Sequence, residues 1–443
     1  MREKIISYDP SNGEAVGEVK KNTLSDISQK VANAKMAQKE WAMYSPEERV
    51  KFFSSIAAEI SAKSEELTEL LCQEMGKDYH RASGEVQGAG YGAVRLAEQV
   101  RNAIKPKKEM GTTIKYVPLG VVAVISPWNY PLMMAVNLIT PALIAGNAVV
   151  FKPSEETPLI AQAYFDILSK YLPKNVIQIV HGDGEQGRAL VESDVNMIAF
   201  TGSQVVGKDI MKRAASNIKR LVMELGGNDP MIVLEDADIE QAARFAVASS
   251  FENAGQMCTS TERIYVDEKV VQEFQNEVVA IASNYKYGPW NASNINYGPI
   301  INEKQRDKII AHIKDAKVKG AKVLLGGENH PERYIVPTVI AEVNDTMLLE
   351  QEETFGPVVS IDSFSTVKEA ITRSNNSTYG LGAVVFGEQN AAYVAEQLEA
   401  GMVGVNKGPG SGYGPWVGAK QSGFGYHGTV SGHRQFTQTK VIN

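Results

Sequence analysis

From about residue 112 to residue 225, short apolar runs alternate with helical stretches, and this alternation is the strongest constraint on the fold. The runs occupy residues 120–126, 148–151, 176–180, 197–201 and 221–225. None alternates with polar residues, as expected of strands buried on both faces. Helical stretches over about 131–145, 158–168, 185–191 and 205–215 separate them. Such a pattern predicts an open parallel sheet with right-handed crossovers, and sheets of that kind bind ligands beyond their carboxyl strand ends.

A second alternating block follows. Strands are expected over 231–234, 263–266, 322–325, 358–361 and 382–386, with helices over 238–249 and 269–282. The turn-rich link Gly226-Gly227-Asn228-Asp229-Pro230 marks the boundary between two α/β lobes. The first hundred residues read as helices. Ser45-Pro46-Glu47-Glu48 is a capping box with proline at the first helical position. Val50, Phe53, Ile56 and Ile60 follow at helical spacing, and a further helix stops at Gly76. No internal repeat is apparent.

The 443 residues suffice for two or three domains. A net charge of −7 gives no support to a nucleic-acid surface. No apolar run reaches the roughly 18–20 residues of a membrane span. Met1-Arg2-Glu3-Lys4-Ile5-Ile6 lacks the features of a secretory signal, and two cysteines make neither a disulfide framework nor a zinc cluster, so the cytoplasm is the expected compartment. The six histidines show no metal spacing, and no metal is expected.

Several positions bear chemistry. Cys72 lies on an amphipathic helix and reads as core. Cys258, in Gly255-Gln256-Met257-Cys258-Thr259-Ser260, is either a small buried hydrophobe or, given its polar neighbours, an accessible thiol. Glu224 ends an apolar strand and is either an exposed strand-end residue or a base whose pKa burial raises. Glu352 and Glu353 sit in a turn. Lys152-Pro153-Ser154-Glu155 leaves a strand where a sugar or phosphate could bind. Gly182-Asp183-Gly184-Glu185-Gln186-Gly187 matches a dinucleotide fingerprint, but its acidic residues would face the pyrophosphate. A second match, 423–428, follows no predicted strand.

Together these segments resemble the aldehyde dehydrogenase superfamily. The matching pieces are Ser126-Pro127-Trp128-Asn129-Tyr130-Pro131, Phe151-Lys152-Pro153-Ser154-Glu155, Phe200-Thr201-Gly202-Ser203, Glu224-Leu225-Gly226-Gly227, Gly255-Gln256-Met257-Cys258, Glu353-Thr354-Phe355-Gly356-Pro357 and Ser422-Gly423-Phe424-Gly425, in the family's order. The resemblance implies two Rossmann-like α/β lobes and a small β oligomerisation flap. The cofactor lobe is expected over 1–105 and 126–225, the catalytic lobe over 226–420, and the flap over 106–125 and 430–443.

By resemblance Cys258 is the nucleophile, Asn129 an oxyanion donor with the Cys258 backbone N–H, and Glu224 the base for the hydrolytic water. Lys152 belongs to both the catalytic and the cofactor sets. Lys152, Glu155 and Glu353 would hold the riboses and Gly202 and Ser203 the phosphates. Phe355 would pack near the nicotinamide. Gly182 would line the adenine cleft, and Ser126, Trp128 and Leu225 complete the cofactor contacts. NAD is expected in preference to NADP, because a carboxylate at Glu155 repels a 2′-phosphate. A homodimer or homotetramer is expected, since 435–442 alternates like an edge strand that must be paired.

The sequence departs from the common pattern at Asn228, at Pro415-Trp416-Val417-Gly418 and at His427, and it begins later than longer members do. Relatives that oxidise succinic semialdehyde carry two arginines at positions occupied here by Asn137 and Glu252. With Tyr130, Met134, Met257 and Trp416 as the remaining tunnel wall, an uncharged aliphatic or aromatic aldehyde is the expected substrate. Lys407 is the counter-candidate for binding an anion, and succinic semialdehyde is the alternative substrate. A coenzyme A-acylating enzyme is disfavoured by Glu224. A non-catalytic scaffold is disfavoured by the joint presence of Cys258, Asn129 and Glu224.

Overall fold

The computed structural model describes residues 3–443. The five apolar runs become adjacent strands. Val121–Ile125 lies at the centre, with Ala148–Lys152 and Ile177–Ile179 on one side and Met197–Thr201 and Arg220–Glu224 on the other. Every ladder among them is parallel. The strand order reverses beside Val121–Ile125, which opens a crevice at the carboxyl ends. All residues of Val121–Ile125, Ala148–Lys152 and Met197–Thr201 are buried, because helices cover both faces. On one face Leu132, Val136 and Ile139 pack with Phe53, Ile56 and Val86. On the other, Ile27 and Val31 pack with Leu190 and Ile210.

The second sheet has seven strands, in the order Lys322–Leu325, Thr338–Ala341, Val358–Phe364, Thr261–Asp267, Asp229–Val233, Gly382–Phe386 and Met402–Val405. Only the Lys322–Leu325 edge is antiparallel. The chain crosses from Glu224, the end of one sheet, to Asp229, the start of the other, through residues 225–228 alone. Carboxyl strand ends of the first sheet thereby meet amino strand ends of the second.

Several expectations change. The first hundred residues are not all helical: Lys4–Tyr8 and Ala15–Lys20 form an antiparallel hairpin, whose short, half-exposed strands carry little apolar pattern. The segment 106–125 does not lie wholly in a flap. Lys107–Glu109, Thr112–Pro118 and Thr437–Ile442 make a separate three-stranded sheet, but Val121–Ile125 is the central strand of the six-stranded one, where its five apolar residues find cover on both faces. Likewise only Thr437–Ile442 of the segment 430–443 joins that three-stranded sheet, since Thr429–Arg434 is helical. Gly423–Phe424, where no strand was expected, pairs antiparallel with Arg220–Glu224. Thr338–Ala341 and Met402–Val405 are further strands of the second sheet that the sequence reading did not include.

Candidate active site

Glu224 closes its strand at the meeting of the two sheets and is buried. Thr201, the end of the neighbouring strand, donates its hydroxyl to Glu224 Oε2 at 3.4 Å. His427 Nε2 stands 2.5 Å from the other oxygen, Oε1. That oxygen has no aligned hydrogen-bond donor, so the contact is close but oblique.

Cys258 follows a tight turn. Asn253, Ala254 and Gly255 all have positive φ, at 52°, 59° and 73°. Non-glycine residues in this region cost of order 1–3 kcal/mol each and persist only where surroundings hold them. Here the holding group is Gln256. Its amide donates to the carbonyls of Asn253 (3.0 Å) and Pro299 (3.3 Å), and its oxygen accepts from the Ile301 N–H at 2.9 Å. Gly255 is required because a Cβ there would lie 2.1 Å from the Gly356 carbonyl oxygen.

Asn129 is tied to the same turn. Its Nδ2 donates to the Gln256 carbonyl at 3.0 Å, which leaves the second amide hydrogen for another acceptor. Its own carbonyl accepts from Lys77 Nζ at 2.8 Å. Lys77 is fully buried, pairs with Glu85 at 2.6 Å, and lies 3.4 Å from the Tyr130 ring centroid. Glu85 in turn accepts the N–H groups of Leu132 and Met133 at 3.0 Å each, satisfying the start of the helix Pro131–Ile144.

Cys258, Glu224 and Asn129 line one cavity of about 560 Å³. The expected tunnel residues Tyr130, Met134, Asn137, Glu252, Met257 and Trp416 line it too. So do Trp128, Gly202, Ser203, Leu225, Glu353 and Phe355 from the cofactor set. Ser126, Lys152, Glu155 and Gly182 are not in its wall, nor is Lys407. The buried Lys152 ammonium is turned onto the Pro153 carbonyl (3.0 Å) and toward Glu155 (3.4 Å). Gly182 precedes the Asp183 cap of the helix Gly184–Glu192.

Burial pushes the Cys258 thiol well above its usual pKa, and the carboxylates of Glu224, Asp229 and Glu353 push it further. Burial also raises Glu353 and Asp229 to about 7 and Glu262 to about 8.

One end of the cavity could hold a dinucleotide. Gly207 lets the helix Gln204–Ala214 lie directly on Leu225, where a Cβ would be 2.5 Å from Leu225 Cδ2. The Ser203-capped start of that helix then faces the crevice, a geometry suited to phosphate. Glu353 accepts the Gly227 N–H at 3.1 Å and presents a carboxylate suited to a ribose hydroxyl. Trp128 and Phe355 meet edge to face with centroids 5.5 Å apart. Phe355 has φ 56°. Its N–H and that of Thr354 are gripped by buried Glu262 at 2.8 and 2.6 Å.

Sequence reasoning missed Lys77, Arg81, Glu85, Glu262 and Lys308, and it quoted Thr201 within a motif without giving it a role. It noted His427 only as a departure. The missed residues belong to no local pattern; helix packing and the turn at 353–355 bring them in.

The fold and the site define an α/β enzyme built around a single thiol between two mostly parallel sheets. The chain belongs to the aldehyde dehydrogenase family, whose family model matches residues 1–442. It is 35% identical over 456 residues to a probable succinate-semialdehyde dehydrogenase [NADP(+)] of Sinorhizobium fredii, covering 100% of this chain and 93% of that one. A crystal structure of lactaldehyde dehydrogenase from Escherichia coli superposes with a TM-score of 0.96 at 31% identity, covering 100% of this chain and 96% of that one. Betaine aldehyde dehydrogenase from Staphylococcus aureus in complex with NAD+ gives 0.94 at 32%, covering 99% and 91%. Among the described residues, no helix is long and apolar enough to cross a membrane, and no group of three metal-ligating side chains occurs.

Proposed function

We propose that the chain oxidises an uncharged aldehyde to its carboxylic acid with a nicotinamide dinucleotide, through an acyl group carried on Cys258. The observation that carries this reading is the convergence of Cys258, Asn129 and Glu224 on one cavity whose far end suits a dinucleotide.

The Cys258 thiol gives its proton to solvent water, its sulfur adds to the aldehyde carbon, and the carbonyl π pair moves onto oxygen, forming a thiohemiacetal oxyanion. The free Asn129 amide hydrogen and the Cys258 backbone N–H donate to the oxyanion; one such donor typically lowers the barrier by about 2.7–4 kcal/mol. NAD, in preference to NADP, supplies the hydride acceptor when bound. Glu353 would hold a ribose hydroxyl, Phe355 and Trp128 would wall the nicotinamide side, and Gly202, Ser203 and Leu225 would border the phosphates. Lys152, Glu155, Gly182 and Ser126 serve the adenosine end, outside the reaction cavity. Glu224 then takes a proton from the water that cleaves the Cys258 thioester. A coenzyme A-acylating enzyme has no need of that carboxylate.

The tunnel's charge supports an uncharged substrate. Lys77 pairs with Glu85 and Arg81 with Asp78, so both cations of this end are engaged by other carboxylates; Glu252 has no cation within ion-pair distance, though it acts at longer range on Lys77 and Arg81, and Lys308 lines the cavity as well. Succinic semialdehyde is the second reading, favoured by the name of the Sinorhizobium fredii relative. The protein is proposed to work in the cytoplasm as a homodimer or homotetramer.

Rapid mixing of Glu224→Gln with aldehyde and NAD tests the mechanism. A burst of reduced cofactor followed by a slow steady state is expected. Unchanged steady-state turnover would overturn the assignment of Glu224.

A further inference from the structure

The two oxygens of Glu224 have different neighbours: Oε2 faces the Thr201 hydroxyl at 3.4 Å, and Oε1 faces His427 Nε2 at 2.5 Å. His427 is held in place by its strand. Tyr426–His427 pairs with Trp416–Val417, placing His427 opposite Trp416. Its side chain also borders two spaces. One is the reaction cavity; the other is a larger outward space of about 760 Å³ bordered by Tyr91, Arg95 and Tyr413. With 8% of its surface exposed, His427 forms part of the wall between them.

A carboxylate that accepts a proton from the hydrolytic water in each turnover must lose that proton before the next. We propose that His427 is the positioning and proton-accepting residue that restores Glu224, carrying its proton to the outward space. The transfer is balanced. Neutral Glu224 gives its carboxyl proton to the Nε2 lone pair of neutral His427, leaving a carboxylate and an imidazolium. The imidazolium then returns one proton to solvent or buffer. This rests on the reading of Glu224 as the hydrolytic base.

The surroundings permit the exchange. His433, on the adjoining helix, is buried with both ring nitrogens unpartnered, and burial lowers its pKa to about 4. It is neutral near pH 7 and does not compete for the proton. Arg95 and Tyr91 face His427 across the outward space, and Cys258, Glu353 and Lys308 across the inner one. Glu224 is the charged group in contact with it.

The test compares wild type, His427→Gln and His427→Ala by rapid mixing at low and high buffer concentration, with and without added imidazole. Expected for both variants are a full burst of reduced cofactor, a steady-state rate about tenfold or more below wild type in dilute buffer, and recovery as imidazole base is added. Far-ultraviolet circular dichroism selects the folded variant if one of the two fails. Steady-state rates within twofold of wild type in dilute buffer would overturn the proposal. So would a loss that neither buffer nor imidazole restores, which would mark a purely structural role. Glu224→Gln separates the two readings. If it turns over normally, the base assignment fails. If it is slow while the His427 variants are normal, only the present proposal fails.

Discussion

The Tyr130 hydroxyl donates to Glu252 Oε1 at 2.6 Å, and among the described residues no cation stands within ion-pair distance of that carboxylate. The ring it leans on is itself backed by the Lys77–Glu85 pair. Burial and then Glu252 push the Tyr130 phenol well above its usual pKa, so it stays a donor. A substrate tail in this part of the cavity meets the Tyr130 hydroxyl and the Glu252 carboxyl group, with Arg81, itself paired with Asp78, in the same wall.

Substrate charge follows from this. kcat/KM for butanal should exceed that for succinic semialdehyde by tenfold or more, about 1.4 kcal/mol of differential transition-state binding. Glu252→Gln should narrow the ratio by raising the semialdehyde value. A wild-type preference for the semialdehyde of tenfold would sink the argument from Glu252 and Asn137.

Thiol reactivity is the second prediction. Cys72 is fully buried with a thiol pushed up to about 12, whereas Cys258 lies in the cavity wall. Iodoacetamide should therefore modify one thiol, and Cys258→Ser should abolish labelling and dehydrogenase activity together while the protein still folds. Because the Cys258 thiol is raised, its thiolate fraction grows with pH. The labelling rate of the cofactor-free protein should climb steadily from pH 7 to 9. A plateau near pH 7 contradicts the electrostatics described for the site.

Asp229 supplies a pH-dependent stability test. It is wholly buried and held at about 7, with Oδ1 accepting the Gly382 N–H at 3.0 Å and Oδ2 unpartnered. A carboxyl raised on folding binds more protons in the native state than in the unfolded one. Its contribution is then fully present below about pH 4 and is lost as pH rises through 7. Asp229→Asn keeps the oxygen acceptor and removes the charge. Its Tm should match wild type near pH 5 and exceed it at pH 8.5. A lower Tm than wild type at pH 8.5 would show that ionised Asp229 is stabilising instead.

Cofactor choice turns on Glu155, which is half-exposed and lies 3.4 Å from Lys152 Nζ. kcat/KM should favour NAD over NADP. Glu155→Gln should shrink the preference, since the amide no longer repels a 2′-phosphate. A clear NADP preference in the wild type would mean that Lys152 dominates this end of the crevice.

The central sheet was legible in the sequence because burial on both faces removes polar residues from whole strands, as in 121–125 and 197–201. The helix caps at Ser45 and the stop at Gly76 were legible because they are local: Ser45 and Glu48 satisfy each other's backbone N–H groups, and Gly76 takes φ 77°. What was not legible depends on distant packing. Lys77 is 52 residues from the carbonyl it holds, and Glu262 is 92 residues from the Thr354 N–H it grips. The flap boundary implied by the resemblance, 106–125, cuts across Val121–Ile125, which the apolar run itself places in the parallel sheet, because Thr112–Pro118 and Val121–Ile125 are separated by residues 119 and 120 alone. The candidate site shows the same division. Cys258, Asn129 and Glu224 stood out by motif, whereas the contact of His427 with Glu224 exists only through the pairing of a late strand.

The last prediction concerns assembly. Thr437–Ile442 is an outer strand of its three-stranded sheet, paired on one side with Thr112–Pro118. Only Thr437 in it is buried; Gln438 to Ile442 are exposed, including Val441 at 59% and Ile442 at 40%. A strand with a free row of N–H and C=O groups and exposed β-branched residues is a template for another chain, and native proteins cover such edges. In a symmetric oligomer the natural cover is a second copy of the same molecule. Light scattering at micromolar concentration should therefore give a mass of two or four chains. Removing residues 437–443 should release monomers or smaller assemblies, and replacing Thr439 and Val441 with proline should do the same, since proline lacks the donor that strand pairing needs. A wild-type monomer at that concentration, or proline variants with unchanged mass, would show that this edge is covered in another way.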